Sequence, residues 1–241
     1  LSNKFINFWQ PKVAIFVESE IWPNMFKNLD KNKIPIIILN ARITKKSFKK
    51  WKIFKQFSKK IFDKINLALP QNLESKKYLK ILGVKNIKNA GNLKYFGKIK
   101  KSKKGDLLIK KKFKNFKVWC ATSTHSGEEI LISKIHKKIK NLEKKLITII
   151  IPRHVNRSKN IVNELERMNL RVITHSSGEK IKYNSDIYLV DVYGETSKFF
   201  NLSKITFVGG SIINHGGQNP LEPARLGNYI INGPNIDNFS E

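Results

Sequence analysis

The 241-residue chain holds one cysteine, only six arginines among its 47 basic residues, and no apolar run near the ~18 residues that span a bilayer. Each shortage excludes something. The lone cysteine, Cys120 in the apolar run "KVWCATS", leaves no disulfide framework and no thiolate cluster for zinc; it reads as a buried thiol, and this usage fits a reducing compartment. Residues 1–20 lack the layout of a signal peptide. No spacing of His, Asp and Glu resembles a metal site, and no internal repeat of fixed period is present. The scarcity of arginine also tempers the formal net charge of +29. Lysine, asparagine and isoleucine abound together, and a drift of the whole composition raises lysine without any partner being involved.

What is present is enough for real cores: 40% of residues are apolar, and the length suits two modest domains or one large one. The basic excess is also uneven. Residues 1–145 carry 37 Lys+Arg against 9 Asp+Glu, whereas residues 146–241 carry 10 against 9. Drift alone does not stop at one position, so a basic half beside a neutral half points to an anionic partner, either a nucleic acid or an anionic membrane surface.

Short apolar runs alternate with segments of helical character. "VAIFV" (13–17), "IPIIIL" (34–39) and "INLAL" (65–69) read as buried parallel strands because they are continuously apolar. In "SFKKWKIFKQFSKKIF", Phe48, Trp51, Phe54, Phe57 and Phe62 recur at helical spacing, which predicts one helix with an aromatic core-facing stripe and a lysine face. Aromatics interleaved with lysines also suit base stacking, but the kept period favours the core. "GKIKKSKKGDLLIKKKFKNFK" (97–117) reads as a domain boundary with one short helix inside it. Beyond it, "VWCA", "LITIIIP", "RVITH", "DIYLV", "ITFVGG" and "NYIIN" predict six more strands. Strand and helix alternating in both halves imply two α/β domains with parallel sheets that bind ligands at the carboxyl ends of their strands.

Four of those strand ends are polar. In "ITFVGGS" the glycines follow a strand directly, where a backbone can turn tightly and approach a ligand. "NPLEPARLG" then opens a helix, with Asn219 at the cap, Pro220 in the first turn and Glu222 complementing the positive end, a natural phosphate or ribose site. "ATSTHSGEE" (121–129) brings hydroxyls, a histidine and two glutamates in a helix first turn. "IIIPRHVNR" (149–157) places Arg153 to meet an anion, and in "VDVYGE" (190–195) Glu195 can accept from ribose hydroxyls. Ordinary strand-to-helix punctuation explains any one of these, and explains the set poorly. Together they imply a nucleotide-sized crevice.

The combination "ESEIWPN", "NARI", "GNLKY", "ATSTHSGEE", "IPRH", "YGE" and "VGGS" with "GGQNPLEP" resembles the Kdo (3-deoxy-D-manno-octulosonic acid) transferases of Gram-negative lipid A and lipopolysaccharide biosynthesis, in the family's order and over essentially the whole chain. The resemblance implies an α/β GT-B fold of two Rossmann-like domains facing across a cleft. Residues 1–97 would be an incomplete acceptor-side domain, 98–117 a linker and 118–241 the CMP-sugar-binding domain, cut short at its end. It implies inverting transfer of Kdo from CMP-Kdo to a lipid A precursor, without a metal or other cofactor, at the cytoplasmic face of the inner membrane. The family's CMP-contacting motifs fall on Pro152 and Arg153, on Tyr193, Gly194 and Glu195, and on Asn219, Pro220, Leu221 and Glu222. Its two proposed transition-state stabilisers fall on Glu18 and Lys94. A fixed carboxylate and a fixed ammonium suit a reaction that builds positive character on a sugar ring and negative charge on a departing phosphate.

Departures from the family pattern fall on "ESE" for Glu-Thr-Glu, Tyr193 for Met, "PRHVNR" for Pro-Arg-His-Pro-Glu-Arg, Gln218 for His, and Phe96 for the Asp that often follows the Lys-Phe pair. Those at Tyr193 and Gln218 touch the cytosine pocket. The family's anchoring helix and its Ser-Val-Gly-Glu segment, whose glutamate is the proposed general base, do not appear among these residues. The expectation is an internal fragment that lacks the base and is inactive alone. In that setting the basic half faces anionic phospholipid and lipid A phosphates, and no nucleic acid is expected. The alternatives are a GT-B transferase or epimerase using another nucleotide sugar, a basic nucleic-acid-binding protein, and an inactive relative kept for partner binding.

Overall fold

The computed structural model describes residues 2–96 and 104–239. The chain divides into two compact units, Leu1–Gly97 and Lys98–Glu241. In the first, α1 (Ser2–Trp9) is followed by β1 (Ala14–Val17), α2 (Pro23–Lys31), β2 (Ile36–Ala41), α3 (Lys45–Ile53), α4 (Lys55–Phe62), β3 (Leu67–Pro70) and α5 (Leu73–Leu82). The three strands pair in parallel in the order β1-β2-β3, so the three expected strands form one sheet. Local chemistry sets the helix ends. Thr44 and Asn72 cap α3 and α5 by accepting the backbone N–H groups of Ser47 and Ser75, and α5 stops at Gly83, whose φ of +112° favours glycine. The core gathers Phe26, Leu29, Ile36, Ile38, Phe62 and Leu79 around the sheet.

The aromatic stripe of residues 47–62 forms two helices, not one. Phe54 (φ −101°, ψ 56°) leaves helical geometry between α3 and α4, and the Ser58 hydroxyl donates to the Trp51 carbonyl at 2.5 Å, occupying an acceptor that a continuous helix would use. The break splits the stripe. Phe62 is buried, Trp51 packs edge-on against it, and Phe48 stacks on Tyr78, whereas Phe54 and Phe57 face solvent.

The second unit runs α6 (Lys104–Phe113), β4 (Lys117–Thr124), α7 (Glu128–Leu142), β5 (Leu146–Pro152), α8 (Ser158–Arg167), β6 (Val172–Thr174), β7 (Ile187–Leu189), α9 (Thr196–Phe200), β8 (Ile205–Val208), α10 (Leu221–Arg225) and β9 (Tyr229–Ile231). All six strands are parallel, in the order β6-β7-β5-β4-β8-β9. Alternation along β5 shows why its run is unbroken: Ile147, Ile149 and Ile151 join the core built with α6 and α9, while Ile150 joins the one built with α7 and α8. Both faces are covered there, and every β5 residue is buried. Of the expected linker, residues 98–103 lie outside the described residues. The rest is not a tether: α6 buries Ile109 and Phe113 in the second unit's core. Cys120 is fully buried and burial pushes its thiol up, as its apolar run implies.

A polar network pins α7 to the sheet. Fully buried His136 meets the Thr148 hydroxyl through Nδ1 at 2.8 Å and Asp186 through Nε2 at 3.4 Å. Asp186 also receives Lys140 at 3.0 Å and the Arg171 backbone N–H at 2.9 Å. Burial alone would raise this carboxyl, but the hydrogen bonds from His136, Arg171 and Lys140 hold it at about 2. Because the folded value lies below the ordinary 3.8, the stabilisation is complete above that value and disappears as pH falls through about 2. Asp186→Asn should therefore cost about 2 kcal/mol at pH 7 in chemical denaturation, and the difference from wild type should shrink steadily below pH 4.

Candidate functional site

Parallel pairing puts the carboxyl ends of all six strands of the second sheet on one edge, and the strand order reverses between β4 and β8, with β5, β7 and β6 on one side and β8 and β9 on the other. Loops diverge at such a switch point and leave room for a ligand. The expected nucleotide-contacting residues all lie on this edge: Pro152 and Arg153 at the end of β5, Tyr193, Gly194 and Glu195 between β7 and α9, and Asn219, Pro220, Leu221 and Glu222 where α10 begins after β8.

At the switch point the sequence expectation needs correcting. The glycines after β8 do not free backbone for a ligand. The Glu128 carboxylate, 1% exposed at the start of α7, accepts four backbone N–H groups: His125 (2.9 Å) and Gly210 (2.8 Å) on Oε2, Ser211 (3.2 Å) and Ile212 (3.1 Å) on Oε1. The anion in this concave turn is the protein's own side chain. Gly209 is required by crowding, since a Cβ there would lie 2.5 Å from the Ser123 carbonyl and 2.7 Å from the Thr124 Cα. Ser123 itself sits at a register shift at the end of β4 with φ +54°, a left-handed conformation rare for serine. The neighbouring glutamate is equally committed. Glu129, 0% exposed, accepts from the Thr124 hydroxyl at 2.9 Å and from both terminal nitrogens of Arg157 at 2.9 and 3.3 Å.

That pairing separates the two arginines of "PRHVNR". Arg157 is consumed by Glu129, while Arg153 is exposed and its guanidinium has no partner among the described residues. Backbone fixes its root, because the Arg153 N–H donates to the Thr124 carbonyl at 3.0 Å. Pro152 beneath it is buried, Tyr193 is 73% exposed, and Gly194 takes φ +80°. Glu195 has both oxygens engaged, Oε1 by Lys198 at 2.5 Å and Oε2 by His175 at 3.0 Å. The Lys198 hydrogen bond, working against burial and joined by His175, holds the carboxyl below its ordinary range.

The start of α10 also differs from expectation. The helix begins at Leu221 and is five residues long; Pro220 occupies the cap position, and Asn219 Oδ1 takes the Leu221 N–H at 2.9 Å. So short a helix has little dipole, and its first donor is already used. Glu222 is exposed. Across the switch point three imidazoles gather: His125 lies 4.4 Å from His215 and 6.1 Å from His154 between ring centroids, and the Gln218 amide reaches His125 Nε2 at 3.1 Å. Burial first, then His215, lower the His125 pKa. Gln218, where the family has histidine, thus still supplies a hydrogen-bonding group to the same loop.

A cavity of about 670 Å³ opens elsewhere, between α7 and the amino-terminal parts of β4 and β8, lined by residues such as Trp119, Ile135, Ile205 and Ile231. It is apolar and contains none of the expected site residues. A small one of about 60 Å³ lies beside Gln218 and Pro220. Chemistry, not volume, therefore selects the carboxyl edge.

In the first unit Glu18 and Lys94 meet directly, Lys94 Nζ to Glu18 Oε1 at 2.9 Å. Glu18 follows β1 with φ +61°, its backbone held on both sides by Leu39 and Arg42. Lys94 lies in a 3-10 turn, Leu93–Phe96, that Asn40 anchors: its Oδ1 accepts the Leu93 N–H at 3.0 Å from the end of β2, where Asn40 takes φ +50° while 3% exposed. Sequence reasoning quoted Asn40 within "NARI" without assigning it this task, and it read Glu128 only as a first-turn carboxylate. His175 belonged to no motif. All three act through pairings that sequence spacing does not display.

Glu128→Gln keeps size but turns an acceptor into a donor facing two N–H groups. We expect a loss of at least ~2 kcal/mol in denaturation and fast amide exchange at Gly210, Ser211 and Ile212.

Known proteins place these features in context. Residues 1–96 match the family model described as 3-deoxy-D-manno-octulosonic-acid transferase (kdotransferase). The 3-deoxy-D-manno-octulosonic acid transferase of Haemophilus influenzae is 33% identical over 99% of this chain and 57% of its own length, so the chain spans little more than half of such relatives. The C-terminal CMP-Kdo binding domain of WaaA from Acinetobacter baumannii is 32% identical, with a TM-score of 0.53, over 56% of this chain and 72% of that domain. UDP-GlcNAc 2-epimerase from Neisseria meningitidis, at 15% identity, shares the fold over 94% of this chain and 60% of its own, with a TM-score of 0.59. The α/β class with parallel, Rossmann-like sheets is that of GT-B glycosyltransferases, and the chain belongs to the Kdo transferase family.

Proposed function

We propose that this chain is part of a glycosyltransferase that moves Kdo from CMP-Kdo to a lipid A precursor in lipopolysaccharide biosynthesis. The observation that carries the reading is the 32% identity, over 56% of this chain, to a domain described as CMP-Kdo binding, joined to an exposed Arg153, on the carboxyl edge of the second sheet, whose guanidinium has no partner among the described residues. A nucleotide phosphate needs a cation that is not already neutralised, and Arg153 offers one. Glu195 supplies acceptors for ribose hydroxyls, and Tyr193 and Asn219 flank the same edge. In the reaction the bond from the sugar's anomeric carbon to the phosphate oxygen breaks and its electron pair leaves with CMP. The acceptor oxygen forms the new bond from the opposite face, and its proton goes to a base. Glu18 and Lys94, which pair at 2.9 Å, exchange that pairing for the substrate, Glu18 meeting the positive character on the ring and Lys94 the negative charge that departs. No metal or other cofactor enters this proposal.

We place the enzyme at the cytoplasmic face of the inner membrane, and one surface of the first unit fits the anionic lipid this requires. Where α3 and α4 break, Ile53, Phe54 and Phe57 are exposed beside the exposed lysines 49, 50, 52 and 55, an apolar tip inside a basic rim. Such a tip suits an anionic lipid surface, each lysine contributing ~1 kcal/mol near it. No helix among the described residues is long and apolar enough to cross a membrane.

The test is an assay of the full-length protein with CMP-Kdo and a lipid A precursor. Glu18→Ala should lower kcat by about a hundredfold or more, and Arg153→Ala should weaken CMP binding by about tenfold. Arg157→Ala should instead lower the melting temperature. Activity with UDP-sugars and none with CMP-Kdo would overturn the donor assignment. Separately, changing lysines 49, 52 and 55 to Gln should cut co-sedimentation with anionic vesicles at least tenfold; unchanged binding would remove the membrane role from this surface.

A further inference from the structure

His175 stands at the end of β6, on the strand beside the one that leads to Glu195, and belongs to none of the family's motifs. Its Nε2 lies 3.0 Å from Glu195 Oε2, and its Nδ1 lies 2.8 Å from the hydroxyl of Tyr188 on β7. Tyr188 is 1% exposed, and burial, with Asp191 and Glu195 nearby, pushes its phenol up to about 12, so the hydroxyl keeps its proton and can donate to Nδ1. That donation leaves the imidazole proton on Nε2, aimed at Glu195. The rings of Phe199 and Tyr188 stand edge-on to the imidazole at 5.4 and 5.9 Å and fix its plane. Lys198 takes the other carboxylate oxygen at 2.5 Å. Each carboxylate oxygen has two acceptor directions, so one remains on each oxygen, side by side.

We infer that His175 is a positioning residue: with Lys198 it fixes Glu195 as a paired acceptor for the vicinal 2′,3′-diol of a ribonucleotide, making the edge selective for ribose over deoxyribose. The inference rests on the proposed reading of Glu195 as a nucleotide contact. Neither Tyr188 nor His175 touches the ligand in this arrangement; both act through the orientation of one carboxylate. A carboxylate free to swing would still be negative, but it would offer its two acceptors in no fixed relation to the two hydroxyls.

Calorimetric titration of the chain with CMP and with 2′-deoxy-CMP tests this. Wild type should prefer CMP by about tenfold. His175→Phe should bring the preference to within about twofold, weakening CMP more than 2′-deoxy-CMP, which keeps the 3′-hydroxyl. His175→Gln, whose amide nitrogen can stand in for Nε2, should restore most of it. Tyr188→Phe, which removes only the hydroxyl, should fall between. A purely structural role would shift the melting temperature and leave the ratio alone. A wild-type ratio in His175→Phe, or in Tyr188→Phe should the former not fold, overturns the inference while leaving the nucleotide reading intact. A wild-type chain that binds CMP and 2′-deoxy-CMP equally removes Glu195 from the ribose and the inference with it. A wild-type chain that binds neither defeats the proposed function itself.

Discussion

The carboxylate of Glu128 is the constraint on which the carboxyl edge of the second sheet depends. A buried ion is costly unless its lone pairs are met, and here four backbone N–H groups meet them at 2.8 to 3.2 Å, two on each oxygen. The donors come from both sides of the switch point, His125 after β4 and Gly210, Ser211 and Ile212 after β8, so one side chain holds together two loops more than eighty residues apart in sequence. Successive N–H groups in a turn make a natural anion cradle. This one is already filled, which moves the task of meeting a ligand's anion to side chains. Arg157 is taken by Glu129, and Arg153 stays exposed.

Both units place strain at the end of their first strand. Glu18 after β1 and Ser123 near the end of β4 take φ of +61° and +54°, and Asn40 at the end of β2 takes +50°. Such conformations cost of order 1 kcal/mol or more each and persist only where surrounding hydrogen bonds over-determine them. At Glu18 the flanking backbone bonds to Leu39 and Arg42 do this, and Asn40 is repaid by holding the turn that carries Lys94. In the first unit the outcome is an ion pair, Glu18 with Lys94, held by three chain segments.

The strands were legible in the sequence because continuous apolar runs have few other uses: the runs beginning at residues 13, 34, 65, 118 and 146 each become a parallel strand shifted by a residue or two. Helical periodicity was legible too, yet its continuity was not. Nothing in the spacing of Phe48, Trp51, Phe54 and Phe57 reveals that Ser58 will take the Trp51 carbonyl and turn the later rings outward. The α6 segment misled for a similar reason, since lysine-rich composition hid two residues, Ile109 and Phe113, that suffice to bury a short helix. At the site, residue types were readable and allegiances were not. Arg157 is taken by Glu129 while Arg153 stays exposed, and the N–H groups after β8 are taken by Glu128. Such competitions are settled by contacts across the fold.

Net charge is likewise a poor guide to where an anion would bind. The strongly basic residues 1–145 hold one arginine, Arg42, which has a partner, and the nearly neutral stretch after them contains Arg153. In that stretch three of the nine acids are engaged by neighbours: Asp186 by His136 and Lys140, Asp191 by the Ser176 hydroxyl and N–H, Glu195 by His175 and Lys198. The carboxyl edge keeps an exposed guanidinium, Arg153, and an exposed carboxylate, Glu222, within a region whose charges nearly cancel. Selectivity for one anion over another requires fixed partners at fixed distances, which a diffuse lysine surface does not supply. A spread of lysines and one rooted guanidinium are thus different kinds of positive charge, and net charge counts them alike.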